Sequence, residues 1–213
     1  MFVSERMSRP VITVAPETPV PDALALLKKE HIRRAPVVQD GKIVGIVSAS
    51  DLLNASPSPV TSLSVWEMNY LIGKVTVRQV MSKKVVTVEA DTPIEEAARI
   101  MADKKFGGLP VMRSGKLVGI ITETDLFKAF LELMGARAKA LRVTAEIEDK
   151  PGVLAQITKA VAEAGGNFIS FGMFSGNDAA SKVVVFKAAG VKENDLKKSL
   201  AKTVKKFWDT RQS

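Results

Sequence analysis

The apolar positions of the chain change period several times, and each change marks an element. VITV (11–14) and VVTV (85–88) are short β-rich runs. Apolar residues then recur at helical intervals, at Ala23, Leu24, Leu26 and Leu27 and again at Ala97, Ala98, Ile100 and Met101. That spacing predicts an amphipathic helix after each run. Thr18-Pro19 and Thr92-Pro93 suit the openings of these helices, threonine as N-cap and proline in the first turn, and Thr92 with Glu95 has capping-box spacing. PVV and IVGIV flank Gln39-Asp40-Gly41-Lys42, where Asp-Gly predicts a tight hairpin turn; Ser114-Gly115 serves the second copy. A further helix begins near Asp51, and another near Asp125 that carries Leu126, Phe127, Phe130, Leu131 and Met134. The predicted order is β-α-β-β-α, twice.

The two copies align without a gap at an offset of 74, residues 3–53 on 77–127. Met7-Ser8 falls on Met81-Ser82, Pro36-Val37 on Pro110-Val111, and GIVSASDL (45–52) on GIITETDL (119–126). A duplicated supersecondary unit follows. Between the copies, SPSP reads as a turn and SVWEMNYLIGK as a short amphipathic helix, with Trp66, Tyr70 and Leu71 as core or dimer-contact residues.

After Gly135 the period becomes two. Leu141, Val143, Ala145 and Ile147 alternate with Arg142, Thr144 and Glu146, a strand with one wet face. EDKPGV turns into a helix carrying Val153, Leu154, Ile157 and Ala160, which Gly165-Gly166 ends as a left-handed cap. NFISFGMF and SKVVVF read as strands around the turn SGNDA, VKENDLKKSLAKTVKK as mostly helix, and KFWDTR as a short last strand. The order is β-α-β-β-α-β, ferredoxin-like.

Composition changes this picture little. At 213 residues, 46% hydrophobic and 25% charged, the chain is an ordinary globular sequence. It has no cysteine, so disulfides and thiolate metal sites are excluded. No apolar run approaches the ~20 residues that span a bilayer, and no secretory pattern opens the chain, so a cytoplasmic setting is expected. Net charge is +8 and uneven: residues 1–135 carry 17 Lys/Arg against 15 Asp/Glu, residues 136–213 carry 14 against 8. Lys197, Lys198, Lys202, Lys205 and Lys206 supply much of the excess. They read first as a solvated face and second as an anion or nucleic-acid contact, without the aromatic interleaving of a stacking platform.

The candidate chemistry lies in the repeat. Each copy sets a hydroxyl three residues before an aspartate, Ser48 before Asp51 and Thr122 before Asp125. Taken once, this is helix-capping grammar. The same geometry suits a nucleotide, with helix N–H groups and the hydroxyl for phosphate and the carboxylate for ribose hydroxyls. Two copies packed about a pseudo-twofold axis would turn both toward one cleft. Upstream of the hairpins the copies differ. Arg33-Arg34 stands in one and Gly107-Gly108 in the other, so the halves are chemically unequal. Catalytic constellations are thin: His31 is the lone histidine, the carboxylates are scattered, and Met81, Met101 and Met112 suit core filling.

PVVQDGKIVGIVSASDLL and LPVMRSGKLVGIITETDLF resemble two CBS motifs of a tandem (Bateman) module over residues 1–135. The resemblance implies an adenosine ligand (AMP, ADP, ATP or S-adenosylmethionine) in the cleft between the motifs. It assigns Ser48 and Thr122 to phosphate, Asp51 and Asp125 to ribose, and the backbone around Val11-Ile12 and Val85-Val86 to adenine. Arg33 and Arg34 match phosphate-reaching positions that Gly107 and Gly108 do not, and Pro36, Ser50, Pro110 and Thr124 complete the implied lining. Residues 136–213 resemble an ACT domain through EIEDKPGVLAQITKAVAEAGGNFISF, which implies side-by-side pairing and marks Asp149, Gly152 and Asn167 for an amino-acid effector. The whole is similar to CBS–ACT proteins of the bacterial acetoin-utilisation (AcuB) type.

The expected architecture is α/β (α+β): CBS motif 1 over 1–60, a linking helix over 61–76, CBS motif 2 over 77–135, and an ACT-like domain over 136–213. The expected function is a non-enzymatic regulatory sensor, a homodimer without catalytic cofactor or metal, that transmits adenine-nucleotide occupancy to the ACT domain or to a protein partner. A nucleic-acid-binding regulator and a ligand-free oligomerisation scaffold stand as alternatives.

Overall fold

The computed structural model describes residues 1–55 and 73–213. The SPSP turn and most of the expected linking helix, with Trp66, Tyr70 and Leu71, lie outside the described residues. The chain forms two compact units, Met1–Leu126 and Phe127–Ser213.

Each copy builds a helix, a hairpin and a second helix, and the second helix of copy two runs past Leu126 into the second unit. Copy one has α1 (Val20–Lys29), β1 (Arg34–Gln39), β2 (Lys42–Ser48) and α2 (Ala49–Asn54). Copy two opens with a helical turn α3 (Val77–Val80) and a short β3 (Val88–Glu89), then α4 (Ile94–Lys104), β4 (Gly108–Arg113), β5 (Lys116–Thr122) and α5 (Glu123–Leu133). The hairpins follow the turn chemistry: Asp40-Gly41 and Ser114-Gly115 both take positive φ, 50° then 75°, as a type I′ turn requires. Their registers match, Gln39 facing Lys42 and Arg113 facing Lys116, each with an irregularity at the same step.

Three expectations are corrected. The VITV strand is a single bridge from Val14 to Val37, and its twin is only the two-residue β3. Pro19 and Pro93, not Thr18 and Thr92, take the N-cap positions, and neither helix has a side-chain cap. The capping box expected of Thr92 and Glu95 is therefore absent.

The segments that precede those runs cross between copies. Val3 N donates to Thr92 O (2.9 Å) and Ser8 N to Ile120 O (2.9 Å), so residues 3–8 pair with copy two. Val77 N donates to Thr18 O (2.9 Å) and Ser82 N to Ile46 O (2.9 Å), so residues 77–82 pair with copy one. Each core is completed by the other copy's opening. Val77 and Met81 join Val20, Leu27, Val37 and Leu52. Val3 and Met7 join Ala97, Leu109, Val111 and Ile121. The repeated glycine of GIV and GII makes room for this exchange. A Cβ on Gly45 would fall 2.4 Å from Met81 Sδ, and one on Gly119 2.2 Å from Met7 Sδ.

The second unit contains β6 (Leu141–Glu148), α6 (Val153–Glu163), β7 (Asn167–Ser175), β8 (Ser181–Ala189), α7 (Glu193–Leu200) and β9 (Val204–Gln212). The antiparallel sheet has the order β7-β8-β6-β9, so the β-α-β-β-α-β expectation is met. Alternation on β6 sends Leu141, Val143, Ala145 and Ile147 to a core shared with Ile157, Val161, Phe186, Leu196 and Leu200. α6 ends as expected: Gly166 N donates to Val161 O and Gly165 N to Ala162 O, the two bonds of a Schellman motif. The last helix is shorter than its lysine-rich pattern implied. α7 stops at Leu200, and Val204 begins a nine-residue strand on β6. Lys187 is buried on β8, where its ammonium donates to Gly135 O (3.0 Å) and Ala138 O (3.1 Å) in the turn after α5.

Candidate functional site

The repeated hydroxyl–aspartate pairs close on themselves. Ser48 is the N-cap of α2; its Oγ accepts from Asp51 N (3.2 Å) and donates to Asp51 Oδ2 (2.7 Å), which also accepts from Ser48 N (2.8 Å). Thr122 repeats the carboxylate half of this at α5, donating to Asp125 Oδ2 from N (2.9 Å) and Oγ1 (2.7 Å). The hydroxyl–aspartate pairing therefore holds in both copies, as a full capping box at Ser48 and as its carboxylate half at Thr122. It consumes one carboxylate oxygen of each aspartate and leaves Oδ1.

The two Oδ1 atoms meet different surroundings. Asp125 is 6% exposed and its Oδ1 accepts from Ser8 Oγ at 3.4 Å. Beside it Arg33 Nη2 donates to Thr124 Oγ1 at 3.3 Å. Asp51 is half-buried, and no described side chain bonds its Oδ1. Asp51 lines a cavity of about 510 Å³, within the range of small-molecule sites.

That cavity is built across the copies. Copy one supplies Arg34, Ile46, Val47, Ser48 and Asp51; copy two supplies Ser82, Lys84, Val85 and Val86 before β3, Lys105, Phe106 and Gly107 before β4, and Gly108 at its start. Of the expected residues the structure thus joins Arg34, Ser48, Asp51, Val85 and Val86. The offset of 74 maps this set onto the surroundings of Thr122 and Asp125, which brings in Ser8, Val11, Ile12 and Arg33. Pro36 and Pro110 are buried within β1 and β4, facing Ile46 and Ile120 across the hairpins, and do not line the cavity. Ser50 is exposed on α2 and also lies outside it. His31, with φ 53°, holds the turn after α1 as Lys105 holds the turn after α4.

The Arg/Gly contrast has a direct physical cause. Arg34 lies against Gly107 and Gly108 of the other copy. A Cβ on Gly107 would sit 2.1 Å from its Nη2 and 2.6 Å from its Cζ. Desolvation holds this guanidinium below its ordinary pKa; Glu123 opposes that shift and Arg33 adds to it. Lys84, Lys105, Phe106 and Ser82 were missed by sequence reasoning. Only Ser82 carried a signal, as the partner of Ser8 in the repeat.

The marked residues of the second unit do not meet. Asp149 pairs with Lys182 (3.3 Å) at the far end of β6, and Gly152, φ 86°, caps α6 beside it. Asn167 starts β7 opposite Ala189, at the end of the sheet where β6 begins. The basic residues are also divided: Lys197 pairs with Glu193 on α7 (2.6 Å), while Lys202 and Lys205 line a hollow with Lys150 and Glu148. Among the described residues no cluster of three or more His, Asp or Glu could hold a metal ion, and no helix is long and apolar enough to cross a membrane.

Comparison with known proteins addresses the first unit. A family model for the CBS domain matches residues 3–58 and again 77–132. The CBS domain pair of protein MJ0100, solved with 5′-methylthioadenosine and S-adenosyl-L-methionine, is 27% identical at a TM-score of 0.52, covering 65% of this chain and 98% of that one. CBSX2 in complex with AMP is 34% identical at 0.50, covering 61% and 96%. A Vibrio cholerae protein assigned to acetoin utilization (AcuB) is 30% identical at 0.53, covering 64% and 95%. The family model ends at residue 132, before the C-terminal sheet. With both motifs matched over more than half its length, the chain belongs to the CBS-domain family.

Proposed function

We propose that this chain is a non-enzymatic sensor whose CBS pair binds one adenosine ligand, seated in the Ser48/Asp51 cleft. The observation that carries the reading is the difference between the twin carboxylates: Asp51 lines an open cavity, while Asp125 is buried with its Oδ1 engaged by Ser8. A carboxylate of this kind accepts from ribose hydroxyls. Val85-Val86 offers backbone and apolar surface to a purine, with Ile46 and Phe106 nearby. The adenosine compounds bound by the MJ0100 pair and by CBSX2 support the ligand class.

The C-terminal unit, in this reading, is an ACT-type domain that pairs chains and receives the signal, as in proteins of the AcuB type. Its strand order supports that assignment. An amino-acid seat made from Asp149, Gly152 and Asn167 would need a second chain, because one chain holds them at opposite ends of its sheet. Any switch requires unequal ligand affinity for two states.

Calorimetry with AMP, ATP and S-adenosylmethionine on the full chain tests the seat. Asp51→Ala should lose binding and Asp125→Ala should keep it. Unchanged binding in both variants would sink the assignment.

A further inference from the structure

Among the described residues only two charged side chains are buried, Asp125 and Lys187, each 6% exposed. They stand at the two ends of one helix. Asp125 lies in the first turn of α5, where it accepts from Thr122. Lys187 comes from β8 and reaches the other end. There α5 closes at Gly135, φ 57°, with Gly135 N donating to Glu132 O (2.9 Å) and Ala136 N to Leu131 O (2.8 Å). The Lys187 ammonium bonds Gly135 O and Ala138 O, just beyond the last turn. No ion pair among the described residues involves Lys187. Its neighbours across the sheet are Arg142 on β6 and Ser170 on β7, so neither supplies a carboxylate. A buried cation without a counter-ion is costly, and the two carbonyls at the negative end of the helix dipole are what offset it. Gly135 itself is pressed onto β7, since a Cβ there would fall 2.9 Å from Ile169 Cγ2.

The start of α5 also touches the cleft. Glu123 N, in its first turn, donates to Gly107 O (3.3 Å), and Gly107 lines the Ser48/Asp51 cavity. The Glu123 carboxylate acts on the Arg34 guanidinium, which lines the same cavity. A ligand that shifts Gly107 or Arg34 therefore acts on the first turn of α5. The boundary between the two units falls within this helix, after Leu126. Resting on the sensor reading above, we infer that α5 carries occupancy of the cleft to the C-terminal unit, with Lys187 as the positioning residue that fastens the far end of the helix to the sheet. An unbroken helix is a rigid element, so displacement of one end reaches the other. An apolar residue at 187 would stabilise a buried strand at lower cost than an unpaired ammonium. What the ammonium adds is attachment of the turn at Gly135. Two states of unequal ligand affinity would differ in how that turn sits on β7 and β8.

Hydrogen exchange on the full chain tests this, read with and without saturating AMP, ATP or S-adenosylmethionine. Calorimetry on each variant establishes that the ligand is bound. In the wild type the ligand should change exchange at residues 134–140 and along β8 by about fivefold or more. Lys187→Met should still bind the ligand but lose that response, and Lys187→Arg should recover part of it. A lysine with a structural role alone would, when replaced, speed exchange of β8 equally with and without ligand and leave the response in place. Lys128→Pro, at an exposed position in the middle of α5, breaks the helix and keeps both buried charges. It should lose the response as well, so the question is decided even if Lys187→Met does not fold. A wild-type response confined to the first unit, or a response at residues 134–140 that survives in either variant, would overturn the inference and leave the adenosine reading standing. Binding of none of the three ligands would overturn both.

Discussion

The Ser48/Asp51 cleft and its twin at Thr122/Asp125 share a fold and a carboxylate that accepts from the hydroxyl and amide three residues earlier, yet Asp51 lines a cavity while Asp125 is buried against Ser8. The difference comes from two residue pairs. Where the open cleft has Gly107-Gly108, the twin has Arg33-Arg34, and each arginine acts on a different half. Arg34 crosses to lie on the two glycines of the open cleft. Arg33 turns to Thr124 beside the twin. A duplication that keeps its scaffold can therefore specialise one seat by exchanging a few side chains at its rim. Burying Asp125 against Ser8 supports structure; leaving Asp51 Oδ1 open supports recognition.

The comparison breaks most readily at Gly107. Gly107→Val drives a side chain into the space of the Arg34 guanidinium, the mobile end of a long side chain, so the fold should survive while AMP affinity falls about tenfold or more by calorimetry. Gly45→Val and Gly119→Val should be nearly equal in effect, because each meets the buried methionine of the other copy's opening. Each should lower stability by about 1–3 kcal/mol in a urea titration. A large inequality between them would mean that the exchange of openings is not symmetric. Ser48→Ala should remove about 1 kcal/mol of N-cap stabilisation, measured the same way. Smallest of all, Arg33→Ala should change stability by less than about 0.5 kcal/mol and leave AMP binding intact, because its contact to Thr124 is exposed.

Local chemistry was legible and partnership was not. Asp40-Gly41 and Ser114-Gly115 announced both hairpins because a type I′ turn is decided by two residues. The aspartates at helix starts and the Gly165-Gly166 terminator were readable for the same reason. VITV looked like a strand because its side chains alternate in the right composition. Its backbone, however, forms only one bridge, with Val14 N bonded to Pro36 O and Val14 O to Val38 N. The stretch after Leu200 looked helical from its lysines and apolar spacing, but pairing with β6 outweighed that weak preference. At the site, the Arg/Gly inequality could be seen in the aligned copies. Its direction could not, because Arg34 meets Gly107 only after the two hairpins are brought together. Lys84 and Lys105 have no counterpart in the repeat, Pro10 and His31 standing in their places, so nothing in the alignment singled them out.

The exchange of openings also sets a schedule for the growing chain. Copy one cannot close its core when its own last residue leaves the ribosome, since Val77 and Met81 have yet to be made. Residues 3–8, synthesised first, must wait for Ala90 and Thr92 to emerge before Val3 and Ser4 find partners, and for Ile120 before Ser8 does. Contacts of such long sequence separation slow folding and leave apolar surface uncovered in the interval. The duplicated unit is thus two repeats in sequence but one folding event, completed only when the second hairpin reaches back to the beginning.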